Sequence, residues 1–233
     1  MKNPALQEGI LVKRYKQFLA DIKIASGETI TVHCPNPGSM LSCSEAGSRV
    51  MFSKSDNPKR KYPHTWELIF TNNVWVGVNT LLPNRLLAES IRNNQIPELT
   101  GYTEILTEVK YGKNSRIDVL LKSEEKLCYV EVKNVSLVRD NIASFPDAVT
   151  RRGTKHLHEL VSMVEQGHRA VMFFLVQRSD ANSFQPAEDI DPVYAQTLRS
   201  AFKSGVEILV YQASVSPEEI SLLRPLPYTL YPA

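Results

Sequence analysis

Cysteine is scarce in this sequence, and its three residues, Cys34, Cys43 and Cys128, form neither a CxxC pair nor an even-numbered set. This excludes a disulfide framework and indicates reduced thiols in a reducing compartment. Long apolar runs are also missing, because nowhere do eighteen apolar residues follow one another, and the N-terminus has no apolar signal core. These absences predict a cytoplasmic protein that does not associate with a membrane.

A strong excess of one charge is lacking too, since 27 Lys and Arg face 25 Asp and Glu for a net charge of +2. Charge alone therefore does not indicate a nucleic-acid partner. Residues 1–82 contain ten basic and six acidic side chains, whereas residues 83–233 contain seventeen and nineteen. A basic first part beside a slightly acidic second part is typical of a DNA-tethering module next to a metal site. Ordinary scatter of charges gives the same division.

The first eighty residues read as short strands separated by turn residues. Apolar residues alternate through Phe18–Ile24, and the runs Arg49–Ser53, Thr65–Thr71 and Val74–Val78 are rich in β-branched and aromatic residues. About five short strands predict a small closed β-barrel, and an OB-type barrel is the commonest such fold with a nucleic-acid-binding face. We therefore predict an OB-like barrel domain over residues 1–80 that binds DNA.

The pattern changes after residue 80, where helical and strand-like segments alternate. In chain order these are a helix from Thr80 to about Asn94, strands near 103–110, 116–122 and 127–133, and a helix that has its apolar stripe within Leu157–Val164 and ends at Gly167. A strand at Ala170–Val176, a helix opening at Asp191 and a strand at Val206–Tyr211 follow. The run Ala170–Val176 is continuously apolar, which predicts a central strand covered on both faces. The order α-β-β-β-α-β, followed by α-β, predicts a second, α/β domain over residues 81–233.

Two of these strands form a predicted β-hairpin around the polar stretch Lys122–Lys126. If the turn centres between Glu124 and Glu125, residues whose numbers sum to 249 lie opposite each other. This register places Asp118 directly across from Glu131. A β-bulge would shift the register.

The predicted register separates polar from apolar side chains. Asp118, Glu131 and Lys133 share one face, because side chains two residues apart on a strand point the same way. The other face is expected to be core and is purely apolar: Ile117, Val119, Leu121, Cys128, Val130 and Val132. The polar face thus collects two acids and one base.

Two opposed carboxylates are the oxygen donors that Mg²⁺ prefers, and the ion keeps several of its waters. A bound divalent ion lowers the pKa of its water and neutralises charge on a phosphate, while a neighbouring lysine stabilises the attacking water or the pentavalent state. The alternative is an amphipathic hairpin whose solvated face pairs acids with Lys and Arg. Glu-x-Lys alone is very common, but two opposed acids repel each other unless a cation intervenes.

Asp118, a turn and then Glu131-Val132-Lys133 within an α-β-β-β-α-β order resembles the PD-(D/E)xK nuclease superfamily. More specifically, the chain resembles the sugar fermentation stimulation protein (SfsA) family. The matching stretches span nearly the whole chain and are Phe18–Asp21, His33–Met40, Asn79–Glu89, Ser115–Asp118, Tyr129–Val135 and Phe145–Leu157. This resemblance implies an N-terminal OB-like domain, a C-terminal nuclease-like domain, DNA binding without strong sequence preference and a link to carbohydrate metabolism.

The superfamily resemblance also implies roles for individual residues. Asp118 and Glu131 would bind Mg²⁺ or Mn²⁺, Lys133 would be the catalytic lysine, and the carbonyl of Val132 would be a further ligand. An acid on the preceding helix often joins such sites, and Glu89 is the candidate. A solvated helix carboxylate is the other interpretation of Glu89.

Two basic clusters are candidates for DNA contacts. Arg151, Arg152 and Lys155 lie at the start of a helix, where cations oppose the helix dipole and backbone N–H groups attract anions. A docked phosphate explains both features, and a solvated basic turn is the alternative. The second cluster, Lys59, Arg60 and Lys61, lies in a loop of the first domain that suits phosphates. A solvated loop is the alternative here.

Two functions follow from these features. The first is a DNA-binding nuclease that cleaves phosphodiester bonds with Mg²⁺. The second is a non-catalytic DNA-binding regulator of sugar (maltose-type) metabolism whose metal site is vestigial or structural. The intact set of Asp118, Glu131 and Lys133 favours the first.

Overall fold

A computed structural model describes residues 1–111, 115–124 and 126–231. Glu125, in the centre of the predicted hairpin turn, lies outside the described residues. Among the described helices, none combines the length and the apolar character that crossing a bilayer would take.

The first domain is a six-stranded antiparallel sheet that curls until β3 also meets β5, through His33 and Thr65. The spatial order is β3-β2-β1-β4-β5-β6. The strands are β1 (Leu6–Tyr15), β2 (Leu19–Lys23), β3 (Thr29–His33), β4 (Arg49–Lys54), β5 (His64–Thr71) and β6 (Val74–Gly77). Strands β2, β4, β5 and β6 follow the predicted runs. Strand β1 was not predicted, because its charged and apolar residues alternate irregularly around a bulge between Leu11 and Lys13.

The second domain is built on a six-stranded sheet with the spatial order β15-β14-β12-β9-β8-β7. Its strands are β7 (Glu104–Tyr111), β8 (Ser115–Lys122), β9 (Leu127–Val135), β12 (Arg169–Val176), β14 (Glu207–Val215) and β15 (Ile220–Pro225). A separate small sheet contains β10 (Leu137–Arg139), β11 (Ile142–Phe145) and β13 (Ser183–Pro186). The small sheet was not predicted from the sequence.

Within the described residues, three α-helices cover the larger sheet: α1 (Pro83–Arg92), α2 (Arg151–Glu165) and α3 (Pro192–Lys203). Their order among the strands matches the predicted α-β-β-β-α-β and α-β segments, apart from the small sheet and β15. Helix α3 begins as the sequence predicts, since the Asp191 side chain accepts a hydrogen bond from the backbone of Tyr194 at 2.9 Å and Pro192 occupies the first turn.

Strand β12 is the centre of this domain, as its continuous apolar run predicts. It pairs in parallel with β9 on one side and β14 on the other. Phe173 packs in the core beneath α1, whereas Phe174 packs in the core beneath α2 and α3. Both faces are therefore covered, which places β9 and its charged side chains deep in the molecule.

The β8–β9 hairpin has the predicted register over its regular part, where Val119 pairs with Val130 and Leu121 with Cys128. The predicted faces are wrong at one position. Ile117 packs in the core beneath α2, whereas Val119 and the rest of the predicted apolar face pack beneath α1. Strand β8 therefore changes faces between these two residues, and Asp118 lies at the crossing.

Buried polar contacts join the two domains. Arg178 is fully buried, forms a bidentate pair with Asp180 at 2.6 Å, and donates a hydrogen bond to the hydroxyl of Ser42 in the first domain at 3.1 Å. Elsewhere, the carboxylate of Asp147 accepts a hydrogen bond from the backbone N–H of Met40 at 2.8 Å. These contacts fix the first domain beside the loop that precedes α2.

Candidate active site

Asp118 is held where strands β8 and β9 stop pairing. The regular ladder ends at Val119 and Val130, and the next free N–H of β9, that of Val132, donates to Oδ2 of Asp118 at 2.7 Å. A side chain thus takes the place of the partner strand's carbonyl at this step. This contact fixes the carboxylate at the open end of the hairpin.

Helix α1 holds the second oxygen of the same carboxylate. Nδ2 of Asn84 donates to Oδ1 of Asp118 at 2.8 Å and also lies 3.0 Å from Oε1 of Glu108. Glu108 has a φ of 56° and lies on β7 opposite this irregular step, between the pairs Thr107–Val119 and Val109–Ile117. Sequence reasoning identified neither Asn84 nor Glu108.

Glu131 is the most deeply buried acid of the site, with its side chain only 2% exposed. Oε1 contacts the ammonium of Lys133 at 2.6 Å and also contacts Nδ1 of His156 on α2. Oε2 is buried and has no hydrogen-bond partner among the described residues. One oxygen of this carboxylate is thus fully engaged, and the other is available.

His156 is buried on the first turns of α2 and connects this cluster to a basic residue. Nδ1 contacts Glu131 and lies 3.3 Å from the ammonium of Lys133, whereas Nε2 lies 3.3 Å from Nε of Arg152. Nε of Arg152 always carries a hydrogen, so Nε2 of His156 is the acceptor in that contact. The ring hydrogen is then on Nδ1 and is donated to Glu131.

The two carboxyl groups have opposite pKa shifts. Burial, together with the nearby charge of Glu131, raises the pKa of Asp118 from 3.8 to about 6. Burial also opposes ionisation of Glu131, but the Lys133 ammonium and the His156 hydrogen bond outweigh it and lower the pKa of Glu131. Glu131 is therefore the ionised member of the pair at mildly acidic pH, and Asp118 ionises only as pH rises through about 6.

This donor set fits a hard divalent cation that retains water. Within the described part of the chain, no group of three or more His, Cys, Asp and Glu side chains could hold a metal ion by itself. Mg²⁺ needs only one or two carboxylates, because it keeps several waters. The unpartnered Oε2 of Glu131 and the carboxylate of Asp118 meet that requirement. The assignment of the Val132 carbonyl as a ligand stays a prediction.

Glu89, the predicted helix ligand, is directed elsewhere. Its carboxylate lies 3.3 Å from the N-terminal ammonium of Met1, which also donates to the backbone carbonyl of Ile220 on β15. Asn84, in the first turn of α1, is the helix residue that reaches Asp118. The structure therefore gives no support to Glu89 as a metal ligand.

A cleft of about 400 Å³ lies beside the site and runs between the two domains. The first domain contributes the loop Asn36–Gly38, α1 contributes Asn84, and β9 contributes Val132–Asn134. The segment Ser144–Thr150 and the side chain of Arg152 line the opposite wall. Lys133 thus faces a space that a ligand of nucleotide size could enter.

The predicted basic clusters are distributed over several surfaces. Arg152 lines the cleft, whereas Arg151 and Lys155 line a separate groove along α2. Lys155 lies 3.5 Å from Glu159 and 3.0 Å from the hydroxyl of Ser115. The structure therefore does not bring Arg151, Arg152 and Lys155 together around one phosphate.

The loop between β4 and β5 presents the second basic cluster. Lys59 and Lys61 are exposed, whereas Arg60 folds back and donates to the hydroxyl of Thr65 at 3.0 Å. Burial, together with the charge of Arg60, lowers the pKa of His33, at the start of the loop that lines the cleft. The assignment of Lys59, Arg60 and Lys61 as DNA contacts stays a prediction.

Each of the two domains matches a known protein-family model. A family model described as the SfsA N-terminal OB domain matches residues 12–78, and one described as the sugar fermentation stimulation protein RE domain matches residues 81–219. The chain belongs to the sugar fermentation stimulation protein family. The predicted fold class, an OB domain followed by an α/β domain, is confirmed.

Full-length relatives of this family are similar throughout. A sugar fermentation stimulation protein homolog of Pelobacter propionicus is 56% identical over 99% of this chain and 100% of its own length. The homolog of Shewanella frigidimarina is 53% identical over 92% of this chain and 93% of its own. The structure of Pyrococcus furiosus SfsA in complex with Ca²⁺ is similar with a TM-score of 0.90, covering 98% of each chain at 24% identity. At that identity the likeness shows a shared fold.

Proposed function

We propose that this SfsA-family protein binds DNA without strong sequence preference and cleaves its phosphodiester bonds with Mg²⁺ or Mn²⁺. The observation that supports this most is that Oε2 of Glu131 is buried without a hydrogen-bond partner among the described residues, while the charge of Glu131 acts on the Asp118 carboxyl. A buried acceptor without a partner is costly, and functional sites are where such atoms persist. A divalent cation would satisfy this oxygen and reduce the repulsion between the two acids.

A divalent ion bound here would lower the pKa of a water and offset negative charge on a phosphate. The chain itself supplies the remaining parts. Val132 and Asn84 orient the Asp118 carboxylate, and His156 fixes one oxygen of Glu131. Lys133 lines the cleft with its ammonium 2.6 Å from Glu131, where it can donate a hydrogen bond to an attacking water or to a phosphate oxygen.

The DNA would lie across both domains. The cleft has one wall from the first domain and one from the second, so a backbone passing through it contacts Arg152 and approaches Lys133. Lys59 and Lys61 extend from the first domain as exposed charges, which suits contacts to phosphates and carries no sequence information. This arrangement favours binding without strong sequence preference.

The test is incubation of the purified protein with end-labelled duplex and single-stranded DNA, with EDTA, Mg²⁺ or Mn²⁺. We expect cleavage only with a divalent ion, and a loss of about 100-fold or more in Lys133→Met, because the proton donor is removed while the length of the side chain is kept. Lys203→Met, an exposed change on α3, is the matched control. Binding without cleavage in either ion, or equal cleavage by Lys133→Met, would refute the nuclease proposal.

A further inference from the structure

His156 has one contact, with Arg152, that neither packing nor the proposed reaction requires. Its ring is buried, with a side-chain exposure of 6%, yet both of its nitrogens face charged groups. Nδ1 donates to Oε1 of Glu131, and Nε2 accepts from Nε of Arg152. The ring therefore connects a metal-ligand candidate to a cation on the surface.

Arg152 is the outer member of this chain of contacts. The residue is exposed and lines the cleft, although its Nε is engaged by His156. A guanidinium has four further N–H groups on its two terminal nitrogens, arranged as a fork that matches two phosphate oxygens. Arg152 can therefore bind a phosphodiester in the cleft and His156 at the same time.

The contact between His156 and Glu131 determines which oxygen of Glu131 is available. Oε1 is occupied by His156 and Lys133, and Oε2 has no partner in the part of the chain that the structure describes. If the His156 ring turned away, only Lys133 would still hold Oε1, and the carboxylate would be less restricted in rotation about its last bond. The orientation of Oε2 thus depends on the His156 ring. The orientation of that ring depends in turn on Arg152.

We propose that Arg152 and His156 are positioning residues that couple phosphodiester binding in the cleft to metal binding at Glu131. A phosphate that immobilises Arg152 also immobilises His156 and Glu131, so that each ligand strengthens the binding of the other. The inference rests on the proposed function, because it takes the cleft as the site for the DNA backbone. Thermodynamic linkage requires the effect to be reciprocal, and couplings of this kind are typically about 5- to 150-fold.

The test measures Ca²⁺ affinity of the full chain by calorimetry, with and without a saturating short duplex oligonucleotide. Inorganic phosphate serves as a second probe, to separate a nucleic-acid backbone from a free anion. Binding rather than turnover is the readout, and Ca²⁺ shares the oxygen-ligand preference of Mg²⁺. In the wild type we expect the duplex to increase Ca²⁺ affinity at least about fivefold.

Two substitutions separate positioning from a merely structural role. His156→Asn keeps an amide N–H close to the position of Nδ1 but has no atom at Nε2. Whatever its Ca²⁺ affinity without DNA, this variant should lose the increase in affinity that the duplex causes. Arg152→Lys keeps the charge, but one ammonium cannot replace the Nε contact and the fork together, so it should also lose the increase. Arg92→Lys, an exposed change in the last turn of α1, is the matched control.

The outcomes distinguish this inference from the proposed function. A wild type that binds both Ca²⁺ and duplex without mutual enhancement refutes the coupling and leaves the proposed function standing. The coupling is also refuted, and the proposed function still stands, if His156→Asn or Arg152→Lys keeps the full increase in Ca²⁺ affinity that the duplex causes. A wild type that binds neither Ca²⁺ nor duplex refutes both.

Discussion

The ammonium of Lys133 lies 2.6 Å from Oε1 of Glu131, two residues earlier on the same strand. This contact makes the two carboxylates of the site unequal, because Glu131 has a partly buried cation of its own. Asp118 instead has two neutral donors, the backbone N–H of Val132 and the amide of Asn84. Burial and the charge of Glu131 therefore raise the pKa of Asp118, whereas Lys133 and His156 lower that of Glu131.

This inequality predicts opposite effects of two amide substitutions on the metal-free protein. Asp118→Asn should raise the free energy of unfolding at pH 8 by about 1 kcal/mol, because it removes a buried charge but also one of two hydrogen-bond acceptors. Glu131→Gln should lower it by about 3 kcal/mol, because it leaves the Lys133 ammonium without its partner.

Urea unfolding in EDTA measures both values, and Asp56→Asn in an exposed loop is the matched control. Changes of the same sign in Asp118→Asn and Glu131→Gln would contradict the charge distribution described here.

A second prediction concerns the pH dependence of stability and of metal binding. Asp118 binds its proton more tightly in the folded protein, with a pKa of about 6 against 3.8. Protonation of Asp118 therefore stabilises the folded protein at low pH, and this stabilisation is lost as pH rises from about 4 to about 6. The affinity for a divalent metal ion should instead increase as pH rises, because the ion must displace that proton.

Below pH 6 we accordingly expect Ca²⁺ affinity to fall by about tenfold per pH unit, as release of one proton requires. Calorimetric titrations between pH 5 and pH 8 provide the measurement. An affinity that is constant across this range would show that Asp118 is not a ligand.

The regular parts of the fold could be predicted because they follow hydrophobic periodicity. The run Ala170–Val176 correctly predicted the central strand. The alternation on either side of the hairpin turn correctly predicted the pairing of Val119 with Val130. The face assigned to Ile117 was wrong, because β8 changes faces at Asp118, where side-chain contacts replace the ladder. Periodicity carries no signal for such a crossing.

The supporting residues of the site could not be predicted for a related reason. Asn84 is 34 residues from Asp118 in sequence, and His156 is 25 residues from Glu131. Helix packing brings each pair together, and an asparagine or a histidine on a helix has no distinctive local pattern. The sequence did identify Asp118, Glu131 and Lys133 as candidates, because all three lie on one hairpin.

A third prediction tests the basic loop of the first domain. Each phosphate contact contributes a slope of about −0.9 to the logarithm of the DNA-binding constant against the logarithm of salt concentration. Lys59→Ala with Lys61→Ala should therefore make the slope shallower by up to about 1.8, while Arg60, which is bonded to Thr65, is left in place. Fluorescence anisotropy at several salt concentrations measures the slope.

The control for this experiment is Lys203→Ala on α3, which should leave the slope unchanged. An unaltered slope in the double variant would move the DNA-binding surface away from this loop, with Arg152 in the cleft as the next residue to test.

The central claim, that Asp118 and Glu131 share one divalent ion, is tested most directly by anomalous X-ray scattering from crystals soaked in Mn²⁺. We expect one peak within bonding distance of both the Asp118 carboxylate and Oε2 of Glu131, with waters completing the coordination. The peak should be absent from Asp118→Asn crystals. A peak bound by Glu89 or Glu108 without Glu131, or no peak at this hairpin, would show that Asp118 and Glu131 do not share a divalent ion.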